Sequence, residues 1–157
     1  MKKAKPYVIS VLIALAVGGL SALLTKGGTG LFDEIVKPPL TPPPVVFPIV
    51  WSVLFFLMGI SAARIWLKRK EDRPAASNAL TVYGSNLVIN FLWSIIFFNF
   101  RQFLFAFLWL ILLWVVILRM ILAFRKLDKP AAYLQIPYLI WVTFAGYLTF
   151  AIWILNR

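Results

Sequence analysis

The sequence predicts an all-α integral membrane protein, a single domain of 157 residues built as a bundle of five transmembrane helices. Hydrophobic residues make up 62% of the chain and charged residues only 13%, whereas a soluble domain is about half apolar. The mean hydropathy is +0.91. The apolar residues come in five long runs, each near the roughly 20 residues that a helix needs to cross a hydrocarbon core.

The runs place the five helices at about 7–25, 45–67, 79–100, 103–124 and 131–155. Between the first two lies a loop at 26–44, which contains the stretch GGTG and a cluster of prolines and therefore cannot form a continuous helix. Within the first run Ala14, Gly18 and Ala22 recur at every fourth position. Such a stripe of small residues lets another helix approach closely, and we expect that helix to belong to the same bundle.

The basic residues indicate the orientation of the chain in the membrane. The formal net charge is +11, but the lysines and arginines lie between the apolar runs rather than in a surface stripe, so we predict no nucleic-acid partner. Twelve of them share the side of the N-terminus, and four lie on the opposite side: Lys26, Lys37, Arg101 and Arg157. The positive-inside rule then puts the N-terminus in the cytoplasm and the C-terminus outside. Arg64 and Arg119 lie near the basic helix ends, where we expect them to snorkel.

The residue types that are missing exclude much of conventional catalysis. The chain has no cysteine and no histidine, so it lacks thiols, the usual zinc and haem ligands and the commonest general base. All five acids lie outside the apolar runs: Asp33, Glu34, Glu71, Asp72 and Asp128. We therefore predict no metal site, no required cofactor and no intramembrane carboxylate for proton or ion coupling.

The third run carries a polar and aromatic face. Asn86, Asn90, Trp93 and Phe97 stand at i, i+4, i+7 and i+11, so all four lie along one side of a helix. An amide that faced lipid would lose hydrogen bonds at a cost of several kcal/mol. This face should therefore point towards other helices or a polar pocket, and hydrogen bonding within the bundle and direct ligand contact both fit the pattern.

Two further helices carry aromatic faces. The second places Trp51, Phe55 and Met58 on one side, and the fifth places on another the residues Pro137, Trp141, Ala145 and Leu148. Tryptophans near a membrane surface serve as anchors as well as ligand contacts, so both roles are open. By helical rise, Trp141 should lie about 15 Å into its helix, near mid-membrane, and Trp51 closer to the outer surface.

The order of these motifs resembles a known family. The segments are KPPLTPPPVVFPIVWSVLFFLMG, NLVINFLWSIIFFNFRQ and IPYLIWVTFAGYLTFAIWILN. Together they resemble the TspO/MBR family of tryptophan-rich sensory proteins, which includes the mitochondrial translocator proteins, and the resemblance spans all five helices. It implies a homodimeric five-helix bundle, here in a bacterial cell membrane. It also implies a pocket opening towards the first loop, whose ligands are porphyrins and synthetic isoquinoline carboxamides or benzodiazepines.

The resemblance carries site residues over one at a time. Trp51 matches the tryptophan after the proline-rich loop, Asn90 and Trp93 match an asparagine and a tryptophan of the third helix, and Trp141 matches the tryptophan of the PYLxW motif. Ala145 stands where side-chain size tunes ligand fit. With their neighbours on the same faces, the predicted ligand-binding set is Trp51, Phe55, Asn86, Asn90, Trp93, Trp141 and Ala145.

The chain also departs from the family pattern. Leu31 and Phe32 replace a Trp-Tyr pair in the first loop, and Leu40 replaces the next tryptophan, so we expect the loop to pack differently over the pocket. Phe150 and Ile154 stand where the cholesterol motif of animal members has a tyrosine and a basic residue. Cholesterol recognition is therefore not predicted.

Three functions follow from these observations. The first is a membrane receptor or sensor that binds a tetrapyrrole such as protoporphyrin, or another hydrophobic small molecule, by aromatic packing and a few hydrogen bonds. The second is an enzyme that degrades porphyrin in light, for which the resemblance offers Trp51 and Trp141 as the reactive side chains; no other catalytic residue is assigned. The third is a transporter of porphyrins or lipids, although the chain lacks a carboxylate suited to ion coupling.

Overall fold

The computed structural model describes residues 4–26 and 30–157, apart from the side chain of Phe32. Helices in these residues are α1 (Ala4–Thr25), α2 (Leu31–Glu34), α3 (Val46–Leu67), α4 (Arg73–Ser94), α5 (Phe103–Leu127), α6 (Lys129–Leu134) and α7 (Ile136–Asn156). Five helical stretches are long and apolar enough to cross a membrane: Ala4–Thr25, Val46–Lys70, Arg73–Asn99, Phe103–Leu127 and Lys129–Asn156. The predicted fold class is confirmed.

The helices form a closed bundle. Helix α1 packs along α3, α4 packs along α5, and α5 packs along α7. The ring closes where α1 packs against α4 and α3 packs against α6, and the side chains of Trp51 and Trp141 link α3 to α7. Most side chains that point away from this ring of helices are apolar and exposed, as the surrounding lipid requires.

Small residues bring α1 and α3 into close contact. A Cβ atom added to Gly59 would lie 2.5 Å from the Cα atom of Val11, and one added to Gly18 would lie 2.6 Å from the ring of Phe55. The hydroxyl of Ser10 donates a hydrogen bond of 2.7 Å to the carbonyl of Gly59. The stripe on α1 thus packs inside the bundle at Gly18, as the sequence predicts.

The third transmembrane helix begins earlier than the hydropathy indicates. Helix α4 starts at Arg73 rather than near 79, because the carboxylate of Asp72 accepts a hydrogen bond from the amide of Ala75 at 3.1 Å and caps the first turn. A proline at 74 suits that turn. These residues are too polar for the membrane interior, so an apolar window misses them.

The last transmembrane stretch is two helices rather than the single one predicted over 131–155. Pro137 has no amide hydrogen to continue the hydrogen-bond ladder. The chain instead tightens at Gln135, whose amide bonds to the carbonyl of Ala132 at 3.1 Å, and then restarts as α7. The side chain of Asp128 accepts from the amide of Ala131 at 3.2 Å and caps α6.

An ion pair joins α3 to Asp128, the residue between α5 and α6, and it corrects the expectation for Arg64. Its Nε atom lies 2.5 Å from Oδ2 of Asp128, so the guanidinium is bound to a carboxylate rather than only snorkelling to the surface. Asp128 lies outside the apolar runs as predicted, yet it is buried. Burial alone would raise the pKa of Asp128, but the hydrogen bond and the charge of Arg64 hold that pKa below its ordinary value.

The first loop is attached to the C-terminal end of α7. Asn156 forms a two-way bond with the backbone of Val36, accepting from its amide at 2.8 Å and donating to its carbonyl at 3.0 Å. Arg101, in the turn before α5, pairs with Glu34. Most of the GGTG stretch, residues 27–29, lies outside the described residues, as do Lys2 and Lys3 at the basic end.

Two of the loop residues that depart from the family pattern have different environments. Leu31 is fully buried, so a smaller apolar side chain fills the place of an aromatic one. Leu40 is 80% exposed and has a φ of 70°, in the left-handed region that L residues other than asparagine and aspartate seldom adopt. The loop is therefore anchored at Leu31, whereas the side chain of Leu40 does not pack over the bundle.

Candidate ligand-binding site

A chain of three buried polar side chains links α4 to α7. The hydroxyl of Tyr138 donates to Oδ1 of Asn86 at 2.6 Å and accepts from Nδ2 of Asn90 at 2.7 Å. All three residues are at most 3% exposed. The spacing of the two amides by one helical turn lets one phenol hydroxyl bond to both of them. The polar face of α4 therefore points into the bundle, as the sequence predicts.

Aromatic rings surround this polar chain on the side of α3. The ring of Trp51 lies 6.2 Å from that of Tyr138 and 6.5 Å from that of Trp141, both in edge-to-face geometry. Phe55 packs beneath Trp51 at 5.8 Å, and Phe47 meets Trp141 edge-on at 5.9 Å. Such rings give a large apolar contact area with defined orientation.

The contact of Trp51 with Trp141 resolves the difference in depth expected from the sequence. Trp51 lies near the start of α3, whereas Trp141 lies near the start of α7, which runs in the opposite direction. The end of α7 extends beyond the first residue of α3, as far as the loop, where Asn156 bonds to Val36. The whole of α7 is therefore shifted towards the loop, and Trp141 in its early turns lies level with Trp51.

The polar face of α4 continues towards the C-terminal end of that helix through Trp93. The indole ring stacks on Phe97 at 5.2 Å, with 19° between the planes. Here α4 widens into one π-helical turn, Ile95–Asn99, a distortion that is frequent at functional sites. On α7, Ala145 follows Trp141 by one turn and is 7% exposed.

Several donors at this site have no acceptor. Among the described residues, the indole N–H groups of Trp93 and Trp141 and the amide Nδ2 of Asn86 are buried without a hydrogen-bond partner. A buried donor without a partner costs about 1–3 kcal/mol. Each of these three groups is therefore a position to which an acceptor on a bound molecule, or water, would add stability.

The structure brings most of the predicted residues together and adds one that the prediction omitted. Trp51 and Trp141 contact each other, Phe55 supports Trp51, and Asn86 and Asn90 meet at Tyr138. Trp93 and Ala145 continue the same faces of α4 and α7 one turn closer to the C-terminal ends of these helices. Tyr138 is the missed residue, although it precedes Trp141 by three positions in the PYLxW motif and so shares its face.

The polar groups of the site are hydrogen-bond donors and acceptors of a few types. Its polar groups are two amides, a phenol and indole N–H groups, and none is a carboxylate, an imidazole or a thiol. The part of the chain that the structure describes contains no group of three or more histidine, cysteine, aspartate or glutamate side chains that could hold a metal ion. The arrangement suits a flat, largely apolar ligand with a few hydrogen-bond acceptors.

A groove elsewhere in the bundle lacks these donors. It has a volume of about 350 Å³ and opens between α5 and α7 towards the lipid. Its main polar contact is already satisfied, because the indole N–H of Trp114 donates to the hydroxyl of Thr143 at 2.9 Å. Trp114 therefore serves as a reference for a tryptophan outside the candidate site.

Comparisons of the sequence with known proteins identify its relatives. The model of the TspO/MBR family matches residues 10–154. The tryptophan-rich protein TspO of Chlorobaculum tepidum is 36% identical over 145 residues, which cover 92% of this chain and 91% of that protein. Protein CrtK of Rhodobacter capsulatus is 35% identical, covering 92% and 89%. The translocator protein of Bos taurus is 32% identical, covering 96% and 91%.

Proposed function

The chain belongs to the TspO/MBR family, and from this premise we propose that it is a membrane receptor or sensor for a flat tetrapyrrole such as protoporphyrin. The ligand would lie between α3, α4 and α7. Isoquinoline carboxamides and benzodiazepine-type compounds would compete for the same place, because they too are flat, apolar and equipped with acceptor atoms. A relative from Cereibacter sphaeroides, 34% identical, is named a tryptophan-rich sensory protein, which agrees with this role.

The observation that carries the proposal is the pairing of an aromatic wall with donors that lack acceptors. Trp51 and Trp141 offer ring surfaces at right angles to each other. The indole N–H groups of Trp141 and Trp93 are buried and unpaired in the structure without a ligand. A macrocycle would gain apolar contact from the rings and hydrogen bonds from the donors.

Binding requires the aromatic rings to separate, since they now contact one another. The first loop closes the outer end of the bundle through Asn156 and Val36 and through the pair of Arg101 with Glu34. These are a few exposed polar contacts, each worth about 1 kcal/mol or less. We therefore propose that the ligand enters beside the loop, after some of these contacts open.

The test is a titration of the purified protein with protoporphyrin in darkness. Replacing Trp141 with phenylalanine keeps a ring but removes the unpaired N–H. We expect about a fivefold loss of affinity, the equivalent of one hydrogen bond of about 1 kcal/mol. The matched variant Trp114→Phe alters the groove between α5 and α7 and should bind as the parent does. Equal losses in both variants, or a loss of affinity only in Trp114→Phe, would refute the site.

A light-dependent enzyme is the second candidate, and the contact between Trp51 and Trp141 favours it. Two indoles whose rings lie 6.5 Å apart beside a photosensitising ligand are the oxidisable side chains nearest to it. Illumination of the bound complex in the parent and in the Trp51→Phe/Trp141→Phe variant separates the two functions. An enzyme requires the rate of porphyrin loss per bound ligand to fall in the variant. If the rate of porphyrin loss changes only in proportion to the amount of porphyrin bound, the protein binds the ligand without acting as an enzyme.

A further inference from the structure

A groove lies at the basic side of the bundle, and its nearest approach to the candidate ligand site is Tyr83, one helical turn before Asn86 on α4. It runs between α1, α3 and α4, has a volume of about 520 Å³ and is open towards the lipid. Its walls are apolar along Ile9, Ile13, Ala62, Ala63 and Leu80. Of the hydroxyl groups in its lining, that of Ser10 is bonded to the carbonyl of Gly59, and that of Tyr83 is buried on the α4 side and adds no exposed polar surface. The groove is therefore suited to a hydrocarbon chain.

The depth of the groove matches one leaflet. Along α1 it extends from Lys5 to Ile13, a distance of about 12 Å at the rise of an α-helix. Half of a typical hydrocarbon core is about 15 Å. Ile9 and Ile13 are about half exposed, so the groove opens sideways to the acyl chains rather than into the bundle. A chain that entered it would stay in the leaflet on the basic side.

Two cations stand at the mouth of the groove. Lys5 is part of its lining and lies at the exposed start of α1. The guanidinium of Arg69 lies 4.0 Å from the ring centre of Trp66, which also lines the groove, and donates to the carbonyl of Trp66 at 2.9 Å. These contacts hold Arg69 in place. The acid nearest in sequence, Glu71, pairs with Lys68 at 3.7 Å.

We propose that this groove binds an anionic phospholipid of the leaflet on the basic side. One acyl chain lies between α1, α3 and α4, and the phosphate contacts Lys5 and Arg69. A zwitterionic lipid would fill the groove with its chain, but it carries no net charge to match the two cations. The inference depends on neither the tetrapyrrole proposal nor the orientation of the chain in the cell, because both leaflets can be supplied with the same lipid in vitro.

The charge part of the proposal is tested by native mass spectrometry of the protein with equimolar phosphatidylglycerol and phosphatidylcholine. The parent should retain phosphatidylglycerol in preference. In the variant Lys5→Gln/Arg69→Gln this preference should be about tenfold smaller, since each basic residue near an anionic surface raises the affinity severalfold. The control Arg125→Gln/Lys126→Gln removes the same charge from the same side at the end of α5 and should keep the preference. If Arg69→Gln fails to fold by circular dichroism, Lys5→Gln alone serves.

The groove part is tested by filling it. Ile9→Trp should reduce retention of both lipids, whereas Ile49→Trp, at an exposed position of α3 near the opposite end, should not. Three results would overturn the proposal. The first is an unchanged preference in Lys5→Gln/Arg69→Gln, and the second is an equal loss in the Arg125→Gln/Lys126→Gln control. The third is a protein in which Ile9→Trp abolishes a dimer without changing lipid retention, because the groove would then be covered by a second copy of the chain.

Discussion

Tyr138 connects the packing of the bundle with the chemistry of its interior. Its hydroxyl donates to Asn86 and accepts from Asn90, which are one turn apart on α4. Its ring lies beside that of Trp51. The two roles that the sequence left open for Asn86 and Asn90, packing and ligand contact, are therefore not exclusive. Oδ1 of Asn86 is engaged within the bundle, while its Nδ2 has no partner.

Removing the hydroxyl of Tyr138 should destabilise the fold. Tyr138→Phe leaves an acceptor on Asn86 and a donor on Asn90 unpaired, and we expect a loss of about 1–2 kcal/mol, since hydrogen bonds between membrane helices are individually modest. Asn90→Leu combined with Tyr138→Phe in a double-mutant cycle, measured by unfolding in mixed micelles, should give a non-zero coupling energy. Tyr133→Phe, at an exposed position, is the control. Strict additivity would exclude the bond.

The pair of Arg64 with Asp128 should make stability depend on pH. The pKa of Asp128 is lowered in the folded state, so its contribution is complete above the unfolded pKa of about 3.9 and is lost as the pH falls through the folded value. Asp128→Asn keeps a good cap for α6 but not the charge. The difference in melting temperature between the parent and Asp128→Asn should be constant near pH 7 and shrink below about pH 4. A difference that grows on acidification would contradict the pairing.

Asp72→Asn provides the matched control for that experiment. Asp72 also caps a helix, α4, by accepting from Ala75, but it is exposed to water. Its replacement by asparagine should therefore change the melting temperature less than Asp128→Asn does at neutral pH.

At the scale of elements, apolar runs predicted each membrane crossing but not its polar ends. The runs at 45–67 and 103–124 agree with α3 and α5 within a few residues, because hydropathy reports the lipid-exposed length. The capped start of α4 at Arg73 and the division at Gln135 depend on individual hydrogen bonds and on a missing amide hydrogen. Those features leave no trace in an average over apolar residues.

The contact between α1 and α3 gives a test at this scale. Gly59→Ala would place a methyl group 2.5 Å from the backbone of Val11, so α1 must move away, at a cost of about 1–3 kcal/mol. Gly84→Ala, on α4, meets nothing within 4 Å and should be neutral or stabilise by up to about 1 kcal/mol, since alanine is the better helix former. Both are measured by thermal unfolding in detergent. Equal effects of the two changes would mean that α1 does not rest on Gly59.

The candidate site as a whole could be predicted only in part. Helical spacing identified the faces that bear Asn86, Asn90 and Trp141, because a polar or aromatic stripe in a membrane helix must face a partner. Which faces meet depends on how far each helix extends and on where the chain reverses. The contact of Trp51 with Trp141 needed α7 to continue past the start of α3, and no local pattern carries that information.

The charge asymmetry predicts the orientation of the whole molecule in the membrane, and labelling tests that prediction. The chain has no native cysteine, so Lys70→Cys and Asp33→Cys can be read without background. Both positions are exposed. An impermeant thiol reagent added to intact cells should label position 33 and not position 70, which should react only after the membrane is opened. Labelling of position 70 in intact cells would reverse the orientation.

The central claim is that the space between α3, α4 and α7 is the ligand site, and the structure of the protein with protoporphyrin bound tests it most directly. The account predicts the macrocycle against the rings of Trp51 and Trp141, with acceptor atoms within hydrogen-bond distance of the unpaired indole N–H of Trp141 or of Asn86. The chain of Tyr138 with Asn90 should remain intact beneath it. A macrocycle bound in the groove between α5 and α7, with the interior rings still in mutual contact, would contradict the account.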